Sequence, residues 1–349
     1  MTIRLALVGI EHPHGAGYRQ SLMLVPEIEV TAAYDPHPDQ ARMRLPTAWQ
    51  NVSVYSDLSV LFEQEKVDAA LITLPNDQTP EAIIQAAQAG VHVFAEKPCA
   101  RTASEFRPAA AAIQEAGVQF ATGYLRRVSP VGEQIKQAVE DDFLGRLVSV
   151  EARWITTRVG GIEPVHRSAD HFLFQRARSG GGILHWLGCH WLDFMRWVSN
   201  ANVTEVGAIL DAFSPAGIDV EDTAALALRF DNGMIGSLHC SYVTDQATDQ
   251  LFFGLRGHKG WLTWERDRDE VTIHSNDPRW FTASTREWRY QPDPMPGYCG
   301  AMGVEILRRF AAAICGDAPS LFGPEDAERV LEILDAAQAS SQSGKRVRL

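Results

Sequence analysis

Short apolar runs alternate with helix-patterned segments through the first third of the chain. The β-rich runs are Ile3 to Val8, Glu29 to Tyr34, Val52 to Tyr55, Asp68 to Leu74, Val91 to Ala95 and Gln119 to Thr122. Between them lie Gly15 to Leu24, Asp39 to Leu45, Leu58 to Gln64, Pro80 to Ala89 and Ser104 to Ala116, with Gly90 and Gly117 closing the last two. Glycine ends a helix readily because it adopts left-handed backbone. Strands joined through helices predict a parallel sheet covered on both faces, hence a doubly wound, Rossmann-like α/β domain.

The pattern changes after Gly123. A helix over Pro130 to Asp141 and a strand over Arg146 to Trp154 precede a long irregular stretch, Ile155 to Ser179. Loops of that length are usually functional. Gly180, Gly181 and Gly182 then introduce an apolar helix carrying His185, Trp186, His190 and Asp193. Strand patterns follow at Val203 to Leu210, Thr223 to Phe230, Ile235 to Tyr242, Gln250 to Leu255, Gly260 to Glu265, Glu270 to His274 and Arg286 to Tyr290, with a hairpin turn at Asp231, Asn232, Gly233. Helices over Val304 to Cys315 and Glu325 to Ser341 close the chain. The second half thus predicts an α+β domain with a large, mostly antiparallel sheet and helices on one face. The expected division is 1–123 and 124–349.

The 349 residues, 45% of them hydrophobic, suffice for two cores. A net charge of −12, from 32 Lys+Arg against 44 Asp+Glu, disfavours nucleic acid and anionic membrane as partners. The start of the chain lacks the long apolar region and cleavage site of a signal peptide, and no run reaches transmembrane length. Five scattered cysteines without metal spacing fit a reduced cytoplasmic protein.

Candidate chemistry gathers at predicted strand ends. Gly9, Ile10, Glu11, His12, Pro13, His14, Gly15 joins the first strand to the first helix, where a dinucleotide's pyrophosphate would meet the helix N-terminus. Glu11 and His14 stand where the Gly-x-Gly-x-x-Gly fingerprint has its second and third glycines. Asp35 ends the second strand, where a carboxylate accepts from an adenosine ribose or caps a helix. No arginine follows it closely to hold a 2′-phosphate, so NAD is favoured over NADP. Thr73, Leu74, Pro75, Asn76 ends the fourth strand, and Glu96, Lys97, Pro98 the fifth, placing a lysine where α/β enzymes open their ligand crevice.

The order of these features, with Arg127 and Pro130, the triple glycine and His190, resembles the Gfo/Idh/MocA oxidoreductases over essentially the whole chain. The resemblance implies a Rossmann domain binding NAD(H) or NADP(H), followed by an open-faced sheet domain that holds a sugar or cyclitol and pairs subunits into a homodimer or homotetramer. It matches Lys97 to the family's Glu-Lys-Pro lysine beside the nicotinamide, and His190 to its general acid/base. The expected cofactor set is Gly9, Ile10, Glu11, His14, Asp35, Thr73, Leu74, Asn76, Thr79, Glu96 and Lys97. The expected substrate set is Arg127, His166, Asp170, His171, Trp186 and His190, with no metal. Three departures stand out: Trp186 replaces an aspartate one turn before the histidine, Thr79 replaces a frequent histidine, and Glu11 and His14 alter the phosphate loop.

Hydride transfer requires a carbinol held against the nicotinamide, a base for its proton and a cation for the developing alkoxide. His190 suits the base and Lys97 the cation. Asp193, three residues beyond His190, would orient the imidazole or bridge within the structure. Arg127 would meet substrate or cofactor, or join the domains through a salt bridge. The expected activity is an NAD-dependent oxidoreductase acting on a secondary alcohol of a sugar, glycoside or cyclitol. One rival is glycoside cleavage through transient oxidation, elimination and hydride return. Another is a non-catalytic nucleotide or sugar sensor.

Overall fold

In the computed structural model the first sheet has six parallel strands: β1 (Ile3–Val8), β2 (Ile28–Tyr34), β3 (Ser53–Tyr55), β4 (Ala69–Ile72), β5 (His92–Ala95) and β6 (Phe120–Thr122). The residues described are 2–10, 12–156, 171–213, 217–243, 250–265, 270–291 and 294–349. The strand order is β3-β2-β1-β4-β5-β6, every pairing parallel. The helices between them are α1 (Gly15–Leu22), α2 (Pro38–Arg44), α3 (Leu58–Gln64), α4 (Thr79–Gln88) and α5 (Ala103–Ala116). β4 is buried at every position, which is why the central strands read as unbroken apolar runs. Because β1 lies between β2 and β4, the winding reverses there and a ligand crevice opens beyond the carboxyl ends.

Local chemistry sets the helix ends. The Asp57 carboxylate accepts from Ser59 N (2.9 Å) and Val60 N (3.4 Å) to start α3, and Thr102 Oγ1 accepts from Glu105 N to start α5. Gly117, at φ +65°, ends α5 in the left-handed region.

The chain divides into two compact units, Met1–Leu125 with Pro292–Glu328 and Arg126–Gln291 with Arg329–Leu349. The units interleave, where the sequence reading gave each domain one continuous stretch. The reason lies in α9 (Ala301–Cys315), whose buried Val304, Leu307 and Phe310 pack in the first unit. There α9 lies against α1, and Phe310 meets Phe94 of β5 edge-on at 5.7 Å. Periodicity reveals that a helix has an apolar face, but not which sheet that face covers.

The second unit is built on nine strands: β7 (Leu147–Ile155), β8 (Val203–Asp211), β9 (Thr223–Phe230), β10 (Ile235–Ser241), β11 (Gln250–Gly257), β12 (Gly260–Glu265), β13 (Glu270–Ser275), β14 (Thr285–Arg289) and β15 (Val347–Arg348). Their order is β14-β13-β12-β11-β7-β10-β9-β8-β15. All neighbours are antiparallel except β7 and β10. Burial alternates along β9 and β13, so one face is covered and the other open. On the covered side α6 (Pro130–Glu140) packs on α8 (Cys189–Ser199), which meets β7. The short α7 (Arg176–Ser179) follows a 3₁₀ turn at Phe172–Phe174, and α10 (Pro324–Ser343) precedes β15. Among the described residues no helix is long and apolar enough to cross a membrane.

Candidate active site

The first strand ends at Gly9, whose φ is +82°; a Cβ there would lie 2.8 Å from the Thr73 carbonyl oxygen and 2.7 Å from Leu74 Cδ2. Thr73 Oγ1 donates to Gly9 O at 2.6 Å, tying the ends of β1 and β4 together. Asp35 is buried, and its carboxylate accepts from Ile10 N (3.0 Å) and His37 N (2.9 Å). Each oxygen has a second lone pair for a ribose hydroxyl. At the start of α1, His14 occupies the N-cap but makes no side-chain cap bond. A helix N-terminus that the His14 side chain does not cap, the close-packed glycine and the strand-end carboxylate fit a dinucleotide.

A buried polar cluster stands at the end of β5. Glu96 Oε2 accepts from Tyr18 OH at 2.7 Å, and Oε1 pairs with His14 Nδ1 at 3.0 Å. Lys97 Nζ lies 3.9 Å from Oε1, its side chain fully buried. Burial raises the Glu96 carboxyl pKa, opposed by Lys97, His12 and the Tyr18 hydrogen bond. Burial, and next the charge of Glu96, hold Tyr18 well above the ordinary phenol range. Gly123 backs the pair, since a Cβ there would come 2.8 Å from Glu96 Oε2 and 2.9 Å from Tyr18 OH. His14 also stacks on Tyr298 at 4.2 Å.

In the second unit, Trp186 and His190 are both buried. The helix that carries them begins with a π turn over Leu184–Gly188 before α8. That turn is wider than the α spacing assumed from the sequence; such turns recur at functional sites. Glu221 holds the start. Its Oε1 accepts from Gly182 N (2.8 Å) and Leu184 N (3.3 Å), and its carbonyl accepts from Ile183 N (2.9 Å). A Cβ on Gly182 would lie 1.8 Å from that carbonyl oxygen, so the third glycine of the run is sterically required. Asp193 is fully buried, and its two oxygens accept from Arg127 Nε (3.0 Å) and Nη2 (2.6 Å). The aspartate is therefore half of an ion pair within this unit.

The remaining expected residues are placed as follows. Leu74 and Asn76 are buried past β4, and Thr79 donates to Leu74 O (3.1 Å) and Pro75 O (3.0 Å) at the start of α4. His171 caps Phe172–Phe174 through Leu173 N. Glu11, His166 and Asp170 lie outside the described residues. Cys99, Cys189 and Cys240 are buried thiols and Cys299 and Cys315 exposed ones. Sequence reasoning missed Tyr18, Tyr298 and Glu221. Only Glu221 gave a signal, as adjacent carboxylates with Asp222 before a strand.

The model of the oxidoreductase family with an NAD-binding Rossmann fold matches residues 3–124, and that of the GFO/IDH/MocA C-terminal domain matches 133–263. A putative UDP-kanosamine synthase oxidoreductase subunit of Amycolatopsis mediterranei is 31% identical over 280 residues, covering 74% of either protein. The myo-inositol 2-dehydrogenase of Thermotoga maritima is 25% identical over 352 residues, 99% of this chain and 98% of that protein. In fold, the chain is similar to a levoglucosan dehydrogenase solved with NADH and levoglucosan, with a TM-score of 0.88 and 21% identity over 100% of this chain and 99% of that one. With a Rossmann unit of matching strand order and a mostly antiparallel second sheet, the chain belongs to the Gfo/Idh/MocA family of NAD-binding oxidoreductases.

Proposed function

We propose that this protein is an NAD-dependent dehydrogenase acting on a secondary alcohol of a sugar, glycoside or cyclitol, with Lys97 and His190 as its catalytic residues. The carrying observation is the fully buried Lys97 ammonium at the end of β5, 3.9 Å from Glu96 Oε1. A buried cation is costly to desolvate, and here it stands where this fold opens its crevice. NAD, when bound, supplies the hydride acceptor or donor. Lys97 stabilises the developing alkoxide, and His190 takes or returns the hydroxyl proton near neutral pH. Asp35 favours NAD over NADP, because a carboxylate repels a 2′-phosphate.

Curated relatives support the substrate class, two of them being inositol dehydrogenases. Pairing of subunits through the open face of the second sheet is supported by exposed Val148, Ile209 and Ile235 on its strands. A monomer by light scattering would remove that part. Five free thiols suit the cytoplasm.

The test is a screen of polyols, sugars and glycosides with NAD and with NADP, following NADH and released aglycone together. NADH formation that falls in both Lys97→Ala and His190→Ala supports the assignment. Unchanged turnover in both variants overturns it. Aglycone release without net NADH would instead favour redox-neutral glycoside cleavage, a reading motivated by Trp186 standing in the altered proton relay. Binding without turnover would leave a sensor.

A further inference from the structure

We propose that His14 couples occupation of the dinucleotide site to Lys97. An anion at the N-terminus of α1 draws a proton from solvent onto the His14 imidazole, and the resulting imidazolium takes over the Glu96 oxygen that Lys97 also faces. The inference rests on the cofactor reading above and adds to it a residue that stands where the phosphate fingerprint has a glycine.

Three placements carry it. His14 is the N-cap residue of α1, yet its ring serves no cap and instead has Nδ1 3.0 Å from Glu96 Oε1. That same oxygen is the one 3.9 Å from Lys97 Nζ. The other oxygen is engaged by the fully buried Tyr18 hydroxyl, so Glu96 is held on both sides. A stronger bond from His14 therefore leaves less of the Glu96 charge facing Lys97.

Among the described residues, titratable groups around the His14–Glu96 pair come from four places. His12 belongs to the same loop, its ring edge-on at 5.1 Å, and Tyr18 comes from α1. Glu96 and Lys97 end β5. Tyr298, stacked at 4.2 Å, precedes α9 with Cys299 beside it. The Glu96 carboxylate, when ionised, and a bound pyrophosphate both favour the protonated imidazole. His12 is the competing proton acceptor. Its Nδ1 already accepts from His14 N at 3.1 Å, so protonation at that nitrogen would break a bond, whereas protonated His14 strengthens one. The His14 side chain is 15% exposed, which lets solvent deliver the proton.

Calorimetric titration of the full chain with ADP-ribose, in two buffers of different ionisation enthalpy near pH 7, counts protons exchanged on binding. ADP-ribose presents the pyrophosphate without the nicotinamide charge. The expected result is uptake of up to about one proton per chain, lost in His14→Gln and kept in His12→Gln. No uptake in the unsubstituted protein, or equal uptake in His14→Gln, overturns the coupling. In the ligand-free protein, the His14 titration midpoint followed by NMR should fall by roughly 1 on the pH scale in Glu96→Gln. An unmoved midpoint overturns the coupling without touching the cofactor reading. If neither ADP-ribose nor NADH binds at all, both fall together.

Discussion

Both units bury a cation beside a carboxylate, but Arg127 and Asp193 close on each other through two hydrogen bonds of 3.0 and 2.6 Å, while Lys97 stands 3.9 Å from Glu96. The planar guanidinium matches both carboxylate oxygens at once, and a closed pair of this kind fixes whatever carries it. Here it joins the turn before α6 to α8, the helix that bears His190. In the first unit the carboxylate is divided among a phenol, an imidazole and an ammonium. Two of its hydrogen bonds go to Tyr18 and His14, and the Lys97 ammonium faces it at 3.9 Å. The arrangement separates two uses of buried charge, one that locks a helix and one that shares a single carboxylate among three partners.

The comparison breaks most easily at its extremes. Asp193→Ala removes the carboxylate paired with a buried guanidinium and should cost about 3–5 kcal/mol, read as a lower urea midpoint. Lys97→Met keeps most of the length of the side chain and removes the charge, so its stability should hold or rise, while turnover falls by roughly 10²- to 10⁴-fold. If Lys97→Met unfolds as readily as Asp193→Ala, the distinction between lock and tool is lost.

A smaller effect is expected at the helix start. Gly182→Ala would press a methyl group onto the Glu221 carbonyl oxygen, and overpacking of that kind costs about 1–3 kcal/mol. A lower thermal midpoint, together with reduced turnover, would show that the His190 helix depends on Glu221.

What the sequence disclosed and what it hid follow from the range of each interaction. Strand ends were legible because apolar runs stop where loops begin, which exposed Gly9, Asp35, Thr73, Glu96 and Lys97 together. The triple glycine was legible as a break, but its reason was not. Glu221 acts on Gly182 from 39 residues away through backbone N–H groups, and no side-chain pattern records that. Tyr18 and Glu96 are 78 residues apart. Tyr298 sits in a stretch without periodicity, and its return to the first unit with α9 depends on packing that α1 and β5 supply. Arg127 was open between ligand and salt bridge, and the structure shows the bridge, made within one unit.

The open pair also makes a prediction in pH. Burial raises the Glu96 pKa, so the folded state disfavours the ionised carboxylate relative to the unfolded chain. Its contribution to stability is full below the ordinary glutamate range and is lost as pH rises through the folded-state pKa. Glu96→Gln, always neutral, should therefore gain on the unsubstituted protein as pH rises from 4 towards neutrality, measured by urea unfolding across that window. A constant difference would mean that Tyr18, His14 and Lys97 fully offset the burial.

The smallest effects lie in two helix caps, one from each unit. Ser129 Oγ accepts from Gly132 N at 2.9 Å to start α6 and also donates to Arg126 O at 3.0 Å, so it closes the turn that presents Arg127 to Asp193. Thr102 Oγ1 accepts from Glu105 N at a longer 3.3 Å, and Ser104 Oγ stands 3.0 Å from it as a substitute. Ser129→Ala should accordingly cost about 1–2 kcal/mol and Thr102→Ala about 0.5–1 kcal/mol. Their difference tests the comparison at its root. A cap that also orders a buried ion pair loses both functions when truncated, so Ser129→Ala should weaken the benefit of Asp193 in a double-mutant cycle. Strict additivity of Ser129→Ala and Asp193→Ala would mean that Arg127 finds its partner without the cap.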